Sequence, residues 1–159
     1  MKLLLESWRQ YLDEVEDFDT IATSQDEIGR SLEYFYREHA PKKGKRKELG
    51  EWKGHKMVSF ELPGDEYFFF VVEGEDRAIA YIAVEPFRES YAVGNVRKIK
   101  GGGFYATDLY EWLVERFGSL YSDKAQTEGG KGVWARFPNK EKVDTKEDGE
   151  GKWRWKLNR

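Results

Sequence analysis

Apolar residues recur at helical spacing near the start of the chain. Leu4, Trp8 and Leu12 stand four residues apart with polar residues between them, which predicts an amphipathic helix. A second amphipathic helix is predicted after Ser24, which begins the capping-box pattern Ser-Gln-Asp-Glu. We expect the second helix to end before Pro41, because proline disfavours helical geometry in the residue that precedes it.

From about residue 56 onward the pattern changes to short apolar runs rich in β-branched and aromatic residues. Four strands are predicted, separated by turns that include residues 63–65 and 73–76: HKMVSFEL, EYFFFVVEG, RAIAYIAVEPF and SYAVGNVRKI. Residues 78–84 of the third strand are apolar on both faces, so we place that strand in the centre of the sheet. The short connections predict an antiparallel meander.

The clearest helical pattern in the chain is Ala106–Phe117. It carries one apolar stripe, Thr107 is placed to cap its start, and Gly118 is suited to its end. A short strand is predicted at Ser119–Tyr121, followed by a short helix that Thr127 would cap.

A hairpin is predicted to close the chain, with its turn at residues 147–151. In its second arm, WRWKL, tryptophans and cations alternate, and we expect the tryptophans to face inward and the cations outward. Together the elements predict one α+β domain over residues 1–159, with a mixed, mainly antiparallel sheet flanked by helices.

Composition narrows the classes of function. The net charge of −3 lacks the basic excess of a general nucleic-acid binder, so a nucleic-acid partner is disfavoured. The chain has no Cys and two His, which argues against thiol chemistry and a metal site. No apolar run approaches the roughly 18 residues of a membrane span, and the first residues lack signal-peptide features. We therefore expect a cytoplasmic protein that does not enter a membrane.

One short run of the chain is strongly basic. Residues 42–47, KKGKRK, are predicted as a solvated loop, with a contact for an acidic partner or a phosphate as the alternative.

Short motifs follow one another in a fixed order in the second half of the chain: Ala106-Thr-Asp-Leu-Tyr110, Ser122-Asp123, Gln126-Thr127, Gly129-Gly130 and Trp134. In this order, and in the order of its predicted elements, the chain resembles the GNAT superfamily of acetyl-CoA-dependent N-acyltransferases. It resembles the short GNAT-like proteins of tailed phages, and its start, MKLLLESW, also looks like that of many phage-encoded proteins. The resemblance implies a GNAT-like sheet, acetyl-CoA as cofactor and, for a phage protein, a place in the host cytoplasm.

The resemblance also implies where the cofactor would bind. In the family, backbone amides at the start of the helix after the fourth strand hold the pyrophosphate, within a sequence Arg/Gln-x-x-Gly-x-Gly/Ala. The corresponding residues here are Lys100, Gly101, Gly102, Gly103, Phe104, Tyr105 and Ala106.

Two alignments with the family's glycine motif are open. The first starts at Lys98 and uses Gly101 and Gly103 as its glycines. The second keeps the phase of the helix and puts Ala106 at the last small position, which leaves Phe104 at a glycine position. Its ring would there obstruct phosphates, which must approach the backbone closely. A third interpretation is a flexible glycine turn that enters a helix without binding a ligand.

The family's reaction needs a base for the amine and an acid for the thiolate of CoA. The candidate bases are Glu85, near the end of a strand, and Asp123, for which an Asx turn is the alternative. The Tyr that acts as the acid in related enzymes has no counterpart here, because residues 133–135 are Val-Trp-Ala.

Two functions follow from the resemblance. The first is a GNAT-like protein with a degenerate acyl-CoA loop that acts by binding a host protein, for example a component of host defence. The second is an active N-acetyltransferase acting on a protein or small-molecule amine. An open gap between the fourth and fifth predicted strands would favour the enzyme.

Overall fold

The computed structural model describes residues 25–123, 133–144 and 153–159. Its longer helical elements are α1 (Gln25–Tyr34), a π-helical segment π1 (Phe35–His39), α2 (Ala40–Lys43) and α3 (Ala106–Phe117). Residues 133–135, within the predicted last short helix, are also helical. Its strands are β1 (Lys45–Trp52), β2 (His55–Leu62), β3 (Glu66–Glu73), β4 (Arg77–Phe87), β5 (Ser90–Lys98), β6 (Ser119–Tyr121), β7 (Glu141–Asp144) and β8 (Trp153–Asn158).

The described strands form one open sheet in the order β1-β2-β3-β4-β5-β6-β8-β7. Strands β1 to β5 pair antiparallel with their neighbours in sequence, which confirms the predicted meander. The predicted central strand, β4, lies between β3 and β5 and is buried from residue 78 to residue 84. Helix α3 connects β5 to β6, and these two strands are parallel. The α+β class is therefore confirmed, with a mostly antiparallel sheet.

Helices cover both faces of the sheet. On one face, which we call the α1 face, Phe35 and Tyr36 of π1 pack against aromatic side chains of β2, β3 and β4. On the opposite face, the α3 face, helix α3 buries Leu109, Tyr110 and Leu113. Because side chains alternate along a strand, inner strands need apolar residues on both faces, and β3 has them from residue 67 to 72 and β4 from residue 78 to 84.

Helix α1 ends at Tyr34, before Pro41 as predicted, but helical geometry continues through π1 and α2 to Lys43, which was not predicted. The chain changes from α to π geometry at residues 35–39, and the Ala40 N–H bonds to the Phe35 carbonyl, five residues back. Pro41 then falls in the first turn of α2, where its missing N–H costs nothing. The π segment is also anchored by side chains, because the Tyr36 hydroxyl donates to Asp76 and accepts from Arg46.

The predicted loop at residues 42–47 is wrong, because α2 ends at Lys43 and β1 begins at Lys45. Strand β1 had no apolar alternation to reveal it, since nearly all of its side chains are exposed at the edge of the sheet. The single connecting residue, Gly44, passes so close to β2 that a Cβ atom there would lie 2.5 Å from the Glu61 carbonyl oxygen.

In the second half, the structure confirms the bounds of helix Ala106–Phe117 and strand Ser119–Tyr121. Gly118 ends the helix in a left-handed conformation, with φ of 86°, as predicted. Thr107 does not cap the start, because the helix begins one residue earlier and Tyr105 occupies the capping position.

Strands β7 and β8 form the predicted hairpin. One detail is wrong: Arg154 does not face outward but is only 5% exposed. It lies on the face opposite Trp155, with its guanidinium carbon 4.2 Å from the centre of the Phe87 ring. The predicted helix at residues 4–15, the hairpin turn, Gln126, Thr127, Gly129 and Gly130 lie outside the described residues.

Candidate functional site

The most distinctive backbone feature of the sheet is the gap between β5 and β6. The two strands share one register pair, Ala92 with Tyr121. Strand β6 ends there, whereas β5 continues over residues 93–98. At the same point β5 holds one extra residue, Gly94, relative to β4, and such a bulge bends and twists its strand. Beyond this pair β5 has no parallel partner among the described residues, and this unpaired stretch is what we call the gap. It lies at the carboxyl ends of the two strands, which is where sheets of parallel strands place their ligands.

A glycine loop, residues 100–103, leads from β5 to α3 at the open end of this gap. Gly101, Gly102 and Gly103 have φ values of 89°, 85° and 78°, which only glycine adopts readily. The Lys98 ammonium donates to the carbonyls of Ile99, at 2.8 Å, and of Gly101, at 2.5 Å. The loop therefore turns carbonyl oxygens toward a cation in this structure, and burial lowers the pKa of Lys98.

His55 holds the same loop from β2. One ring nitrogen, Nε2, hydrogen bonds to the Gly102 carbonyl. Together with Lys98, this side chain fixes the direction of successive loop carbonyls. Sequence reasoning gave His55 no role, since the contact joins residues 47 positions apart.

The Phe104 ring lies beneath the glycine loop and not above it. It is 4% exposed and belongs to the core of the α3 face. The Trp52 ring packs against it edge-on with centroids 5.0 Å apart, and a Cβ atom on Gly102 would lie 2.9 Å from its Cε1. The ring supports the loop from below, so its bulk does not by itself obstruct the solvent side of the loop.

The start of α3 already carries a negative charge. The Asp108 carboxylate accepts the Tyr105 N–H at 2.8 Å, and the Asp108 N–H donates to the Tyr105 carbonyl at 2.9 Å. A carboxylate here stabilises the positive end of the helix dipole. It also uses a backbone donor that an anionic ligand would otherwise contact. Ala106 is the first helical residue, and the neighbouring Tyr105 side chain is 69% exposed.

Asp123 lies where β6 has left β5, close to a buried hydroxyl. Burial, and after it the charge of Asp123, raise the pKa of Tyr110, while a hydrogen bond from Trp134 lowers it. Tyr110 is fully buried on the α3 face, and its ring meets Trp134 edge-on at 5.3 Å. Sequence reasoning did not identify Tyr110 as a neighbour of Asp123, because Tyr110 fits the apolar stripe of its helix.

Glu85 lies in a different part of the sheet. It is opposite Ala92 in the β4–β5 register and half-buried. Glu85 is two residues from Ala83, which belongs to the core of the α1 face. Because alternate side chains of a strand point to the same side, Glu85 also lies on the α1 face. The structure thus puts the two candidate bases on different sides of the sheet, with Asp123 beside the α3 core.

A polar cluster that sequence reasoning missed closes the narrow end of the gap on the α1 face. The Tyr121 hydroxyl donates to the Glu89 carboxylate at 2.8 Å, and Lys156 lies 3.1 Å from the same group. Desolvation opposes the charge on Glu89, but hydrogen bonds from the backbone and Tyr121 and the Lys156 ammonium outweigh it and lower the pKa of Glu89 to about 2. Nearby, Arg154 donates to the Ser122 carbonyl at 2.8 Å. These bonds tie β8 to the base of the gap.

Metal sites and membrane-spanning helices are two further features that bear on function in the part of the chain that the structure describes. No group of three or more His, Asp or Glu side chains there is placed to hold a metal ion. No helix within those residues is long and apolar enough to cross a membrane. Comparisons of the chain with protein-family models, curated proteins and solved structures find no match.

Proposed function

We propose that this chain is a GNAT-like N-acyltransferase that binds an acyl-CoA in the gap between β5 and β6. The observation that supports the proposal is the single register pair of these parallel strands, beyond which β5 has no parallel partner among the described residues. The strand order, with α3 as the β5–β6 connection, supports the same scaffold. Residues 100–106 are the proposed pyrophosphate contact, with the ring of Phe104 as their support.

The chemistry assigned to this chain is proton transfer. Bound acyl-CoA would supply the thioester that an amine attacks; the C–N bond would form, the C–S bond would break, and CoA would leave as the thiol after a proton reaches its sulfur. The amine must lose a proton, and Asp123 is the preferred base because it lies at the gap, beside Tyr110. Glu85 is the alternative base from the opposite face. The acceptor is an amine of a protein or a small molecule.

Calorimetric titration with acetyl-CoA tests the proposal. The Asp108→Asn variant keeps an acceptor for the Tyr105 N–H but removes the negative charge at the helix start. Since a charge at this position is worth about 0.3–1 kcal/mol, we expect binding to tighten about two- to fivefold. Glu111→Gln, an exposed site one turn further along α3, is the matched control and should change the affinity less. Absence of heat at millimolar acetyl-CoA would overturn the proposal.

A second candidate is favoured by the charges at the loop. Asp108 already satisfies a donor at the helix start, and the Lys98 ammonium is held by loop carbonyls, so neither group is arranged to receive a pyrophosphate. In this alternative the scaffold has lost cofactor binding and acts by contact with another protein, such as a host-defence component met by a phage protein. The same titration separates the two candidates, because only the first expects heat from the parent protein and from Asp108→Asn.

A further inference from the structure

Strand β1 is an edge strand of the sheet that the structure describes. Within the described residues it pairs only with β2, and its outer edge has no strand neighbour. All of its side chains except Leu49 and Trp52 are exposed. Alternate residues of an edge strand direct their N–H and C=O groups away from the sheet, where a further strand can pair with them.

Four lysines surround the beginning of this edge: Lys42, Lys43, Lys45 and Lys47. We call them the basic edge. All four are exposed, and none has a carboxylate partner among the described residues. Neighbouring cations do have a carboxylate partner: Arg46 lies 3.7 Å from the Glu48 carboxylate, and Lys56 lies 3.4 Å from it. Among the described residues, the basic edge is therefore a concentration of positive charge without carboxylate partners, on a protein whose net charge is −3.

Two ordinary effects act on these lysines. Cations at the end of α2 suit the negative end of its dipole, and lysines on an edge strand discourage pairing with another sheet. Both effects depend on the sign of the charge that approaches the lysines. A neutral or basic strand is repelled from the edge, whereas an acidic strand gains both the backbone hydrogen bonds and the attraction of the lysines.

We infer that β1 is a docking edge for an acidic, extended segment of a partner protein, which adds to the sheet as a further strand. The register with β2 is regular from Lys45 to Glu48 and shifts between Glu48 and Gly50, which limits the docked segment to about four residues, or roughly 13 Å. Lys45 and Lys47 point to the same side of the strand, so acidic residues two positions apart in the segment would face them. Glu48 and Glu51 would repel further acidic residues and so help to set the register. The inference does not require acyl-CoA binding, and it gives the contact function a defined surface.

The probe for this edge is a fluorescein-labelled peptide that alternates valine and glutamate, followed by fluorescence anisotropy at low salt. We expect saturable binding that weakens at least about tenfold when the salt rises from about 50 to about 500 mM, because the attraction involves exposed charges. The double variant Lys45→Glu with Lys47→Glu should weaken binding by a similar factor. Lys140→Glu with Lys142→Glu makes the same charge change at the opposite edge, beside β7, and should leave binding within about twofold. Lys45→Gln with Lys47→Gln, a milder change, should give an intermediate loss.

Two further measurements separate strand addition from attraction to any polyanion. Hydrogen exchange of the residue 45–48 amides should slow when the peptide binds. A peptide with proline in place of valine keeps the charge but lacks those backbone donors, so it should bind clearly more weakly. Absence of binding at millimolar peptide, equal binding of the proline peptide, or unchanged exchange in β1 would each overturn the inference. So would a short DNA duplex that competes through the same lysines without protecting β1.

Discussion

Gly44 offers a direct test of how α2 is joined to β1. Its φ of −142° and ψ of 175° are open to any residue, so replacement by alanine adds no backbone strain. The added Cβ, however, would lie 2.5 Å from the Glu61 carbonyl oxygen and 2.9 Å from its carbon, where ordinary contact begins at 3.4 Å. The obstacle is backbone of the paired strand β2, so about 0.9 Å of movement must come from the sheet or from the junction itself.

Overpacking of this kind costs about 1–3 kcal/mol, and the reduced freedom of the unfolded alanine chain offsets about 0.4–1 kcal/mol. We therefore expect Gly44→Ala to lower the free energy of unfolding by about 1–2 kcal/mol. Urea denaturation followed by tryptophan fluorescence measures this as a lower midpoint at unchanged slope.

Gly29→Ala is the matched control for the same chemical change. Gly29 lies in α1, and nothing lies within 4 Å of the position where its Cβ would be. Alanine favours a helix interior over glycine, so this variant should gain about 0.5–1 kcal/mol. The steric reasoning would be refuted if Gly44→Ala were as stable as the parent protein. It would equally fail if the two variants shifted the midpoint in the same direction.

Three further predictions concern the loop and the helix that covers the α1 face. Phe104→Ala should lose about 3–5 kcal/mol of stability, because the ring fills the core beneath the glycine loop, and a loss below about 1 kcal/mol in urea would contradict that position. Lys98→Met removes the ammonium that bridges loop carbonyls, so amide exchange over residues 100–104 should accelerate about tenfold; unchanged exchange would exclude Lys98 as the group that holds the loop. Burial, and after it the charge of Lys43, lower the pKa of His39, so the folded state binds fewer protons than the unfolded state. The stability that comes from keeping His39 neutral is fully present above the unfolded pKa of about 6.5 and is lost as the pH falls below it. The unfolding free energy of the parent protein should therefore fall between about pH 7 and 5.5. His39→Phe should make the unfolding free energy depend less on pH over this range.

The local sequence pattern was sufficient to predict the elements whose structure depends mainly on their own residues. The stripe of α3 and the glycine after it predicted Ala106–Phe117, because a helix closes its hydrogen bonds within itself. The apolar runs likewise predicted a meander with β4 at its centre, since a strand buried on both faces must be apolar throughout. The glycines at 101–103 also marked a special loop, because the required backbone conformations exclude most other residues.

Edges and long-range contacts were not available from the sequence. Strand β1 forms because the backbone of β2 offers it hydrogen bonds. Its side chains are nearly all exposed, so they do not alternate between apolar and polar residues in a way that would indicate a strand. The same limit applies to Arg154, whose burial depends on Phe87 and on a carbonyl 32 residues away. The direction of the Phe104 ring, below its loop, was set by the space left between α3 and the sheet.

Propensity and periodicity act over a few neighbouring residues, and they were therefore enough to predict helices α1 and α3 and strands β2 to β5. Long-range packing set three other features: the gap beside β6, the loop carbonyls that face Lys98, and the lysines along β1 that have no carboxylate partner among the described residues. Each of these depends on which distant backbone or charge arrives next to it, and no local pattern carries that information.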